Sequence, residues 1–258
     1  MSMKVVILCG GRGTRMAGET EYRPKPLVTI DGKPMIWHIM KFYSSYGFND
    51  FVLCIGYKGE MIKQYFMEMY WRNNDLTVHI DKNQKIEYHT SEEEENWTIT
   101  IVDTGIKTET GGRLKSVEKY INEENFMFTY GDGLSDVNLN ALVDFHKSKN
   151  RLATLTGVHP VSNFGIMDVE DGIVKSFKEK PVLKDMVNGG YMVLNKKVFD
   201  YIEKDCSFEG EPLGKIAKDE ELAVYEHNGF WKAVDTMKDV LLVENMCIEG
   251  NIPWQIWK

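Results

Sequence analysis

A short apolar run, Val5 to Leu8, is followed directly by Cys9-Gly10-Gly11-Arg12-Gly13-Thr14-Arg15. Four consecutive apolar residues without polar alternation read as a strand buried on both faces, the kind found inside a parallel sheet. The glycines that follow let the backbone turn sharply and approach a ligand closely. In open α/β sheets, ligands bind beyond the carboxyl ends of the strands, which is where this turn falls. Successive N–H groups in such a turn form a concavity for anions. Arg15 and, ten residues on, Lys25 within Pro24-Lys25-Pro26 bring two positive charges to the same mouth. The simplest ligand for that arrangement is a polyphosphate.

The loop is neither of the commoner glycine-rich phosphate motifs. No Gly-x-x-x-x-Gly-Lys-Ser/Thr run occurs, and Met16 stands where a dinucleotide-binding loop carries glycine or alanine. The plainer alternative is a tight strand-to-helix turn with solvated charges. Arg15, Lys25 and the flanking prolines weigh against it.

Further apolar runs at Phe51–Ile55 and Phe126–Thr129 predict two more buried strands. Between them, Met35-Ile36, Ile39-Met40 and Tyr43 repeat at helical spacing, with Gly47 at the expected helix end. Met61-Ile62, Tyr65-Phe66 and Met69 repeat likewise within Lys58 to Tyr70, and the expected role of both stripes is core packing. Asp31-Gly32 predicts a turn before a helix starting near Pro34. This alternation implies an α/β fold: a mixed, mostly parallel sheet with helices on both faces. Residues 72–102 differ, with strand-like alternation at Leu76–Ile80 and Trp97–Ile101 around the acidic run Glu92–Glu95, which reads as a solvated loop. They predict a small β-rich region for substrate binding or self-association. The second half mixes strands at Ala153–Val158, Gly190–Leu194 and Ala223–Tyr225 with helices near 139–149, 196–204 and 236–249. No repeat or flexible linker divides the chain, so one domain is expected, with a nucleotide-binding half over about 1–135 and a second half over about 136–258.

The 258 residues carry a net charge of −8. That balance does not fit a nucleic-acid partner, whose footprint would be basic and clustered. It suits an anionic substrate only where cations gather, as Arg12, Arg15, Arg23 and Lys25 do. Cys9, Cys54, Cys206 and Cys247 show no paired or zinc-binding spacing. Cys9 and Cys54, in apolar runs, read as core filler. Reduced thiols suit the cytoplasm. The chain enters a strand within a few residues of its start, leaving no room for a signal peptide, and no apolar run approaches membrane-spanning length, so no membrane partner is expected.

Chemistry-bearing residues recur at strand ends. Asp132, in Gly131-Asp132-Gly133 after Phe126–Thr129, suits a Mg²⁺ site, which takes one or two carboxylates plus phosphate oxygens and water. Asp235, after Trp231–Val234, is the candidate second carboxylate; an N-cap is the alternative. In Phe177-Lys178-Glu179-Lys180-Pro181, Lys180 offers charge to a second phosphate and Glu179 an acceptor for sugar hydroxyls. Asn188, before Gly189-Gly190, offers both donor and acceptor. Thr108-Glu109-Thr110-Gly111-Gly112-Arg113 precedes a helix expected to run to about Tyr120, and its start with Arg113 could hold a base or a phosphate.

Taken together, Gly10-Gly11-x-Gly13-Thr14-Arg15, Pro24-Lys25-Pro26, Val102-Asp103-Thr104-Gly105, Thr110-Gly111-Gly112-Arg113, Gly131-Asp132-Gly133, Phe177–Pro181, Asn188-Gly189-Gly190, Gly229-Phe230-Trp231 and Pro253-Trp254-Gln255-Ile256-Trp257 resemble the sugar-phosphate nucleotidyltransferases. The Thr-Gly-Gly-Arg turn and the Pro-Trp end resemble that family's cytidylyl branch. The resemblance implies a Rossmann-like core, CTP and a sugar 1-phosphate as substrates, Mg²⁺ as cofactor, and a homo-oligomer. It implies that Leu8, Cys9, Gly10, Gly11, Arg12, Gly13, Thr14 and Arg15 wrap the nucleotide, with Lys25 at the α-phosphate, Thr108 and Arg113 at the cytosine and Gly131 near the ribose. Arg15, Lys25 and Asp132 would be catalytic, Asp132 and Asp235 would hold Mg²⁺, and Glu179, Lys180 and Asn188 would receive the sugar phosphate. The chain departs from the family pattern at Arg12, usually a bulky apolar position, and over 82–96. Spacing alone leaves UTP or dTTP open as the nucleotide. It also leaves open a nucleotide-binding module without catalysis, which would have no need of Asp132 or Lys180.

Overall fold

The computed structural model describes residues 3–16, 18–82, 84–89, 95–162 and 164–257. Strand β1 (Val5–Leu8) is buried along its whole length and sends alternate side chains to opposite sides. Val5 and Ile7 enter one apolar cluster, Val6 and Leu8 another. The central sheet continues with β2 (Asp50–Ile55), β3 (Thr98–Asp103), β4 (Asn125–Tyr130), β5 (Ala153–Val158), β6 (Val187–Asn195) and β7 (Leu222–His227). Their spatial order is β7-β5-β6-β4-β1-β2-β3. Every strand runs parallel to β1 except β6, which is antiparallel to both of its neighbours.

The helices are α1 (Met35–Ser44), α2 (Gly59–Asn73), α3 (Thr110–Ser116), α4 (Leu139–Lys149), α5 (Glu211–Lys218) and α6 (Met237–Ile248). The first cluster joins the sheet to α1, α4 and α6 through residues such as Ile39, Leu142 and Val243. The second joins the opposite face to α3 and α5 through Leu114, Leu213 and Ile216. Each fully buried Leu, Ile or Phe contributes roughly 1.5–3 kcal/mol, so the two clusters hold the sheet as a central slab. Helices on both faces of a mostly parallel sheet bear out the expected architecture.

Two local expectations are corrected. The apolar stripe of α2 is core only in part: Ile62 is fully buried and Phe66 packs against the first cluster, Tyr65 and Met69 are half-buried, and Met61 is exposed. Helical spacing identified the face but not whether another element covers it. The helix expected at 196–204 is a 3-10 turn over Lys196–Tyr201, and the helix starting at Thr110 ends at Ser116, with a separate 3-10 turn at Glu118–Tyr120. Helix α5, eight residues long and containing Pro212 and Gly214, carries no helical pattern long enough to predict it.

Away from the central sheet, Asp75–Val78 pairs with Ile86–His89, and Ile166–Glu170 pairs with Ile173–Lys178. The strand expected at Trp97–Ile101 instead joins the main sheet as β3. Glu92, Glu93 and Glu94 of the acidic run lie outside the described residues, while Glu95 pairs with Lys41. The carboxyl-terminal segment folds back onto the chain. Trp254 is buried, stacks on Phe230 at 5.5 Å and donates to His38 Nδ1 at 3.4 Å, while Trp257 meets Trp37 edge-on at 5.9 Å. The Cys9 and Cys54 side chains fill the core as expected.

Candidate active site

Strands β1 and β4 lie side by side with Leu8 opposite Tyr130. That register sets the glycine turn after β1 next to Gly131-Asp132 after β4. The Gly131 N–H donates to the Leu8 carbonyl at 3.0 Å and closes the seam between them. Asp235 reaches the same place through a second pairing. Gly133–Ser135 runs antiparallel to Trp231–Ala233, and the Val234 N–H donates to the Asp132 carbonyl at 2.9 Å. Two carboxylates a hundred residues apart in sequence thus arrive at one end of one short ribbon.

Asp235 is not the cap of α6. Thr236 is, in a capping box with Asp239. Asp239 accepts from the N–H groups of both Asp235 and Thr236. Desolvation works against ionisation of Asp239, but hydrogen bonds from Lys232 and Thr236 prevail and hold its carboxyl below the usual range. The Asp235 backbone is therefore fixed while its carboxylate faces the cleft.

Lys25 sits at the start of a 3-10 turn behind Pro24, with its side chain 11% exposed. Its Nζ lies 2.7 Å from Asp132 Oδ2 and 2.5 Å from Asp235 Oδ1. Arg15 Nη1 lies 2.8 Å from Asp235 Oδ2. Two cations and two carboxylates form one charge-balanced cluster. Around it, Leu8, Cys9, Gly11, Gly13, Thr14, Pro26 and Gly131 complete an open cleft of about 230 Å³.

The glycine turn is held from beneath. The Gly10 carbonyl accepts from the Tyr57 N–H at 3.1 Å and from Arg113 Nη2 at 3.1 Å. Arg113 Nη1 also donates to the Ile55 carbonyl at 3.2 Å and to Thr104 Oγ1 at 2.7 Å. A Cβ at Gly10 would lie 1.9 Å from the Arg113 guanidinium. Gly13 has φ +61, and a Cβ there would come 2.9 Å from Thr20 and 3.2 Å from Lys25. With the Gly10 carbonyl turned inward, the N–H groups of Gly11, Arg12, Gly13 and Thr14 donate to no acceptor among the described residues. Gly11, Gly13 and Thr14 line the cleft.

The structure thus brings Leu8, Cys9, Gly11, Gly13, Thr14, Arg15, Lys25, Gly131, Asp132 and Asp235 to one cleft. Gly10 lies behind it, and Arg12 is exposed and does not line it. Arg113, only 4% exposed, braces the loop rather than opening onto the cleft, and Thr108 is half-buried beside Gly105. Glu179 and Lys180 lie outside the cleft on an exposed segment, 3.7 Å apart. Exposed Asn188 accepts from the Gly190 N–H at 2.9 Å. Pro26 and Thr104 fall in motifs already singled out, but their places beside the cleft and beneath the loop, and Tyr57 altogether, come only from the tertiary arrangement.

Burial, then the neighbouring Cys54 and Asp132, pushes the Cys9 thiol well up, and burial pushes the Cys54 thiol up to about 12. Neither is a nucleophile at neutral pH. The cation position is instead marked by Lys25 Nζ, on which Asp132 and Asp235 oxygens converge. Hard carboxylate oxygens there fit a divalent ion that keeps water and phosphate as its other ligands. Among the described residues no group of three or more His, Cys, Asp and Glu offers a fuller metal cage.

An open cleft at the carboxyl ends of parallel strands, with unpartnered loop amides and converging lysine and carboxylates, fits a nucleotide-handling α/β enzyme. Residues 4–248 match the model of the nucleotidyl transferase family, and the chain belongs to that family. It is 49% identical over 257 residues to a probable glucose-1-phosphate cytidylyltransferase of Bacillus subtilis, covering 99% of this chain and 100% of the relative. It is 46% identical over 259 residues to glucose-1-phosphate cytidylyltransferase of Salmonella typhi, with 99% and 100% covered. Among solved structures, HddC from Yersinia pseudotuberculosis complexed with GMP-PN matches with TM-score 0.69 at 22% identity, covering 95% of this chain and 99% of that one, which shows a shared fold.

Proposed function

We propose that the enzyme joins CTP to α-D-glucose 1-phosphate, forming CDP-glucose and pyrophosphate. The observation that carries the chemistry is the convergence of Lys25, Arg15, Asp132 and Asp235 beside the free amides of the glycine loop. Full-length similarity to the two cytidylyltransferases supports the choice of base and sugar. Nucleotidyltransferases of this family use a divalent metal. Here Mg²⁺ is the proposed ion and Asp132 and Asp235 its protein ligands; when bound it neutralises charge on the phosphates.

A sugar-phosphate oxygen attacks the α-phosphorus in line, a new P–O bond forms, and the bond to the β-phosphate bridging oxygen breaks. The attacking oxygen is already anionic, so the chain needs no general base. Its task is to bring two anions together in a fixed geometry. Loop amides from Gly11 to Thr14 bind phosphate oxygens. Lys25 neutralises the crowded α-phosphate, and Arg15 neutralises the departing pyrophosphate. Both cations are held against carboxylates until phosphate oxygens take over that role. Thr108 and the Arg113 turn flank the cytosine, with Gly131 near the ribose. Glu179, Lys180 and Asn188 receive the sugar phosphate from the second half, about 136–258, as a continuation of the nucleotide half, about 1–135, within one domain.

The same reading includes a cytoplasmic homo-oligomer. Four unpaired cysteines and the exposed apolar residues of the outlying hairpins support it. Among the described residues no helix is long and apolar enough to cross a membrane. Fractionation and light scattering test these two points. The decisive assay mixes each nucleoside triphosphate with each sugar 1-phosphate and scores products by mass. CDP-glucose as the dominant product is expected; a dominant UDP- or dTDP-sugar overturns the base assignment, and nucleotide binding without pyrophosphate release overturns the enzyme reading.

A further inference from the structure

The turn carrying Thr108 to Arg113 cannot hold itself in place. Helix α3 has seven residues, two of them glycines, and its N-cap, Glu109, makes no side-chain capping bond. Each glycine weakens a helix by roughly 1 kcal/mol relative to alanine. The N–H groups at its start are instead taken by the loop before α5. The Glu109 N–H donates to Asp205 Oδ1 at 2.9 Å, and the Gly111 N–H donates to the Cys206 carbonyl at 2.8 Å. The glycines are there for this docking: a Cβ on Gly111 would lie 2.7 Å from the Cys206 carbonyl oxygen, and one on Gly112 would lie 2.1 Å from Asp205 Oδ1. The helix start that the sequence offered to a base or a phosphate is covered by the chain's own loop.

One side chain closes this arrangement. Glu209 Oε2 accepts from Thr110 Oγ1 at 2.5 Å and from Ser207 Oγ at 2.7 Å. Thr110 Oγ1 in turn accepts from the Phe208 N–H at 2.8 Å. The other Glu209 oxygen accepts from the Tyr130 hydroxyl. Tyr130 is the last residue of β4, immediately before Gly131-Asp132, and its ring packs against the backbone at Gly190. Desolvation works against ionisation of Glu209, yet the hydrogen bonds from Thr110, Tyr130 and Ser207 outweigh it and hold the carboxyl below the usual range. Three hydroxyl donors and an anionic acceptor leave no donor facing a donor.

We propose that Glu209 is a positioning residue for nucleotide selection, tying the Thr108–Arg113 turn to the carboxyl end of β4 so that the base wall and the phosphate cleft keep one fixed spacing. This rests on the reading of that turn as the cytosine wall. Glu209 touches no reacting group. It acts through Thr110 on the turn and through Tyr130 on the strand end, and a hydrogen-bonding site rejects the wrong base only while its donors and acceptors stay in place.

The test is steady-state kinetics of the full-length enzyme with CTP and UTP against glucose 1-phosphate, alongside calorimetric CTP affinity, for Glu209→Ala, Glu209→Gln and Thr110→Val. Charge-assisted hydrogen bonds of this kind set an expected change on the order of tenfold. In Glu209→Ala the KM for CTP rises about tenfold and the preference for CTP over UTP falls by a similar factor. The KM for glucose 1-phosphate stays within about twofold. Glu209→Gln, which keeps one oxygen for Thr110 and Ser207, recovers part of the loss and carries the test should the alanine variant not fold. Thr110→Val resembles Glu209→Ala, and combining the two adds little. An unchanged KM for CTP in a folded variant overturns the proposal, as does an equal rise in KM for both substrates. Should the wild-type enzyme make no CDP-sugar, the functional reading falls, and undiminished CTP affinity in Glu209→Ala separately overturns the positioning role.

Discussion

The cleft and the Glu179-Lys180 hairpin outside it are built differently. On the glycine-loop side each element is braced from below: Gly10 by Arg113 and Tyr57, Lys25 by two carboxylates, and Asp235 by the Asp239 cap. On the Glu179-Lys180 side the polar groups stand on an exposed hairpin extension, with Lys180 56% exposed and its ion pair confined to the adjacent Glu179. An exposed pair is worth little and is easily exchanged for another partner, whereas a buried brace is costly to break. The difference suits the proposed division of work, in which the braced cleft meets the triphosphate and the exposed hairpin supplies charge to the sugar phosphate.

Removing Lys25 attacks that comparison at its strongest point. Lys25→Ala, or Asp132→Asn, is expected to lower turnover on the order of 10²–10³-fold, as for loss of one preorganised electrostatic group. Circular dichroism should show an intact fold. Wild-type-like turnover in Lys25→Ala would take that residue out of the mechanism.

Next in size is Arg113→Leu. It removes one hydrogen bond each from the Gly10 carbonyl, the Ile55 carbonyl and Thr104 Oγ1, which keep their bonds to Tyr57 and to each other, and should cost roughly 1–3 kcal/mol of stability. The KM for the nucleotide should rise as well. Denaturant unfolding with and without CTP measures both, and a variant as stable as wild type would show that the brace is dispensable.

Lys180→Ala sharpens the other side. It should raise the KM for the sugar 1-phosphate roughly tenfold. Neither CTP affinity nor stability should change. A fall in stability would mean that the hairpin is braced after all.

The smallest effect concerns acid. Burial lowers the pKa of His38, whose Nε2 lies 2.8 Å from the Ile30 carbonyl and whose Nδ1 accepts from Trp254. A donor at Nε2 and an acceptor at Nδ1 require the neutral ring. Because the folded-state value lies below the unfolded one, the contribution is fully present above the unfolded value near 6.5 and is lost as pH falls through the folded value. Thermal melts of wild type and His38→Gln should differ less at pH 5 than at pH 8. Parallel curves would remove His38 as the acid-sensitive latch of the Trp254 end.

Local pattern went far in this chain. A four-residue apolar run closed by glycines placed a buried strand and the loop that lines the cleft, helical spacing placed α1, and a carboxylate between glycines marked Asp132. Such features depend on steric and hydrophobic rules acting within a few residues, so they are written in neighbouring letters. The long-range arrangement is another matter. That Arg113 lies beneath Gly10, that Asp132 and Asp235 meet on one ribbon, that the stripe of α2 is covered only around Ile62 and Phe66, and that Glu209 bonds a glycine-bearing turn all follow from strand order and packing between segments far apart in sequence. Spacing along the chain carries no record of which distant backbone will occupy the space a missing Cβ leaves open.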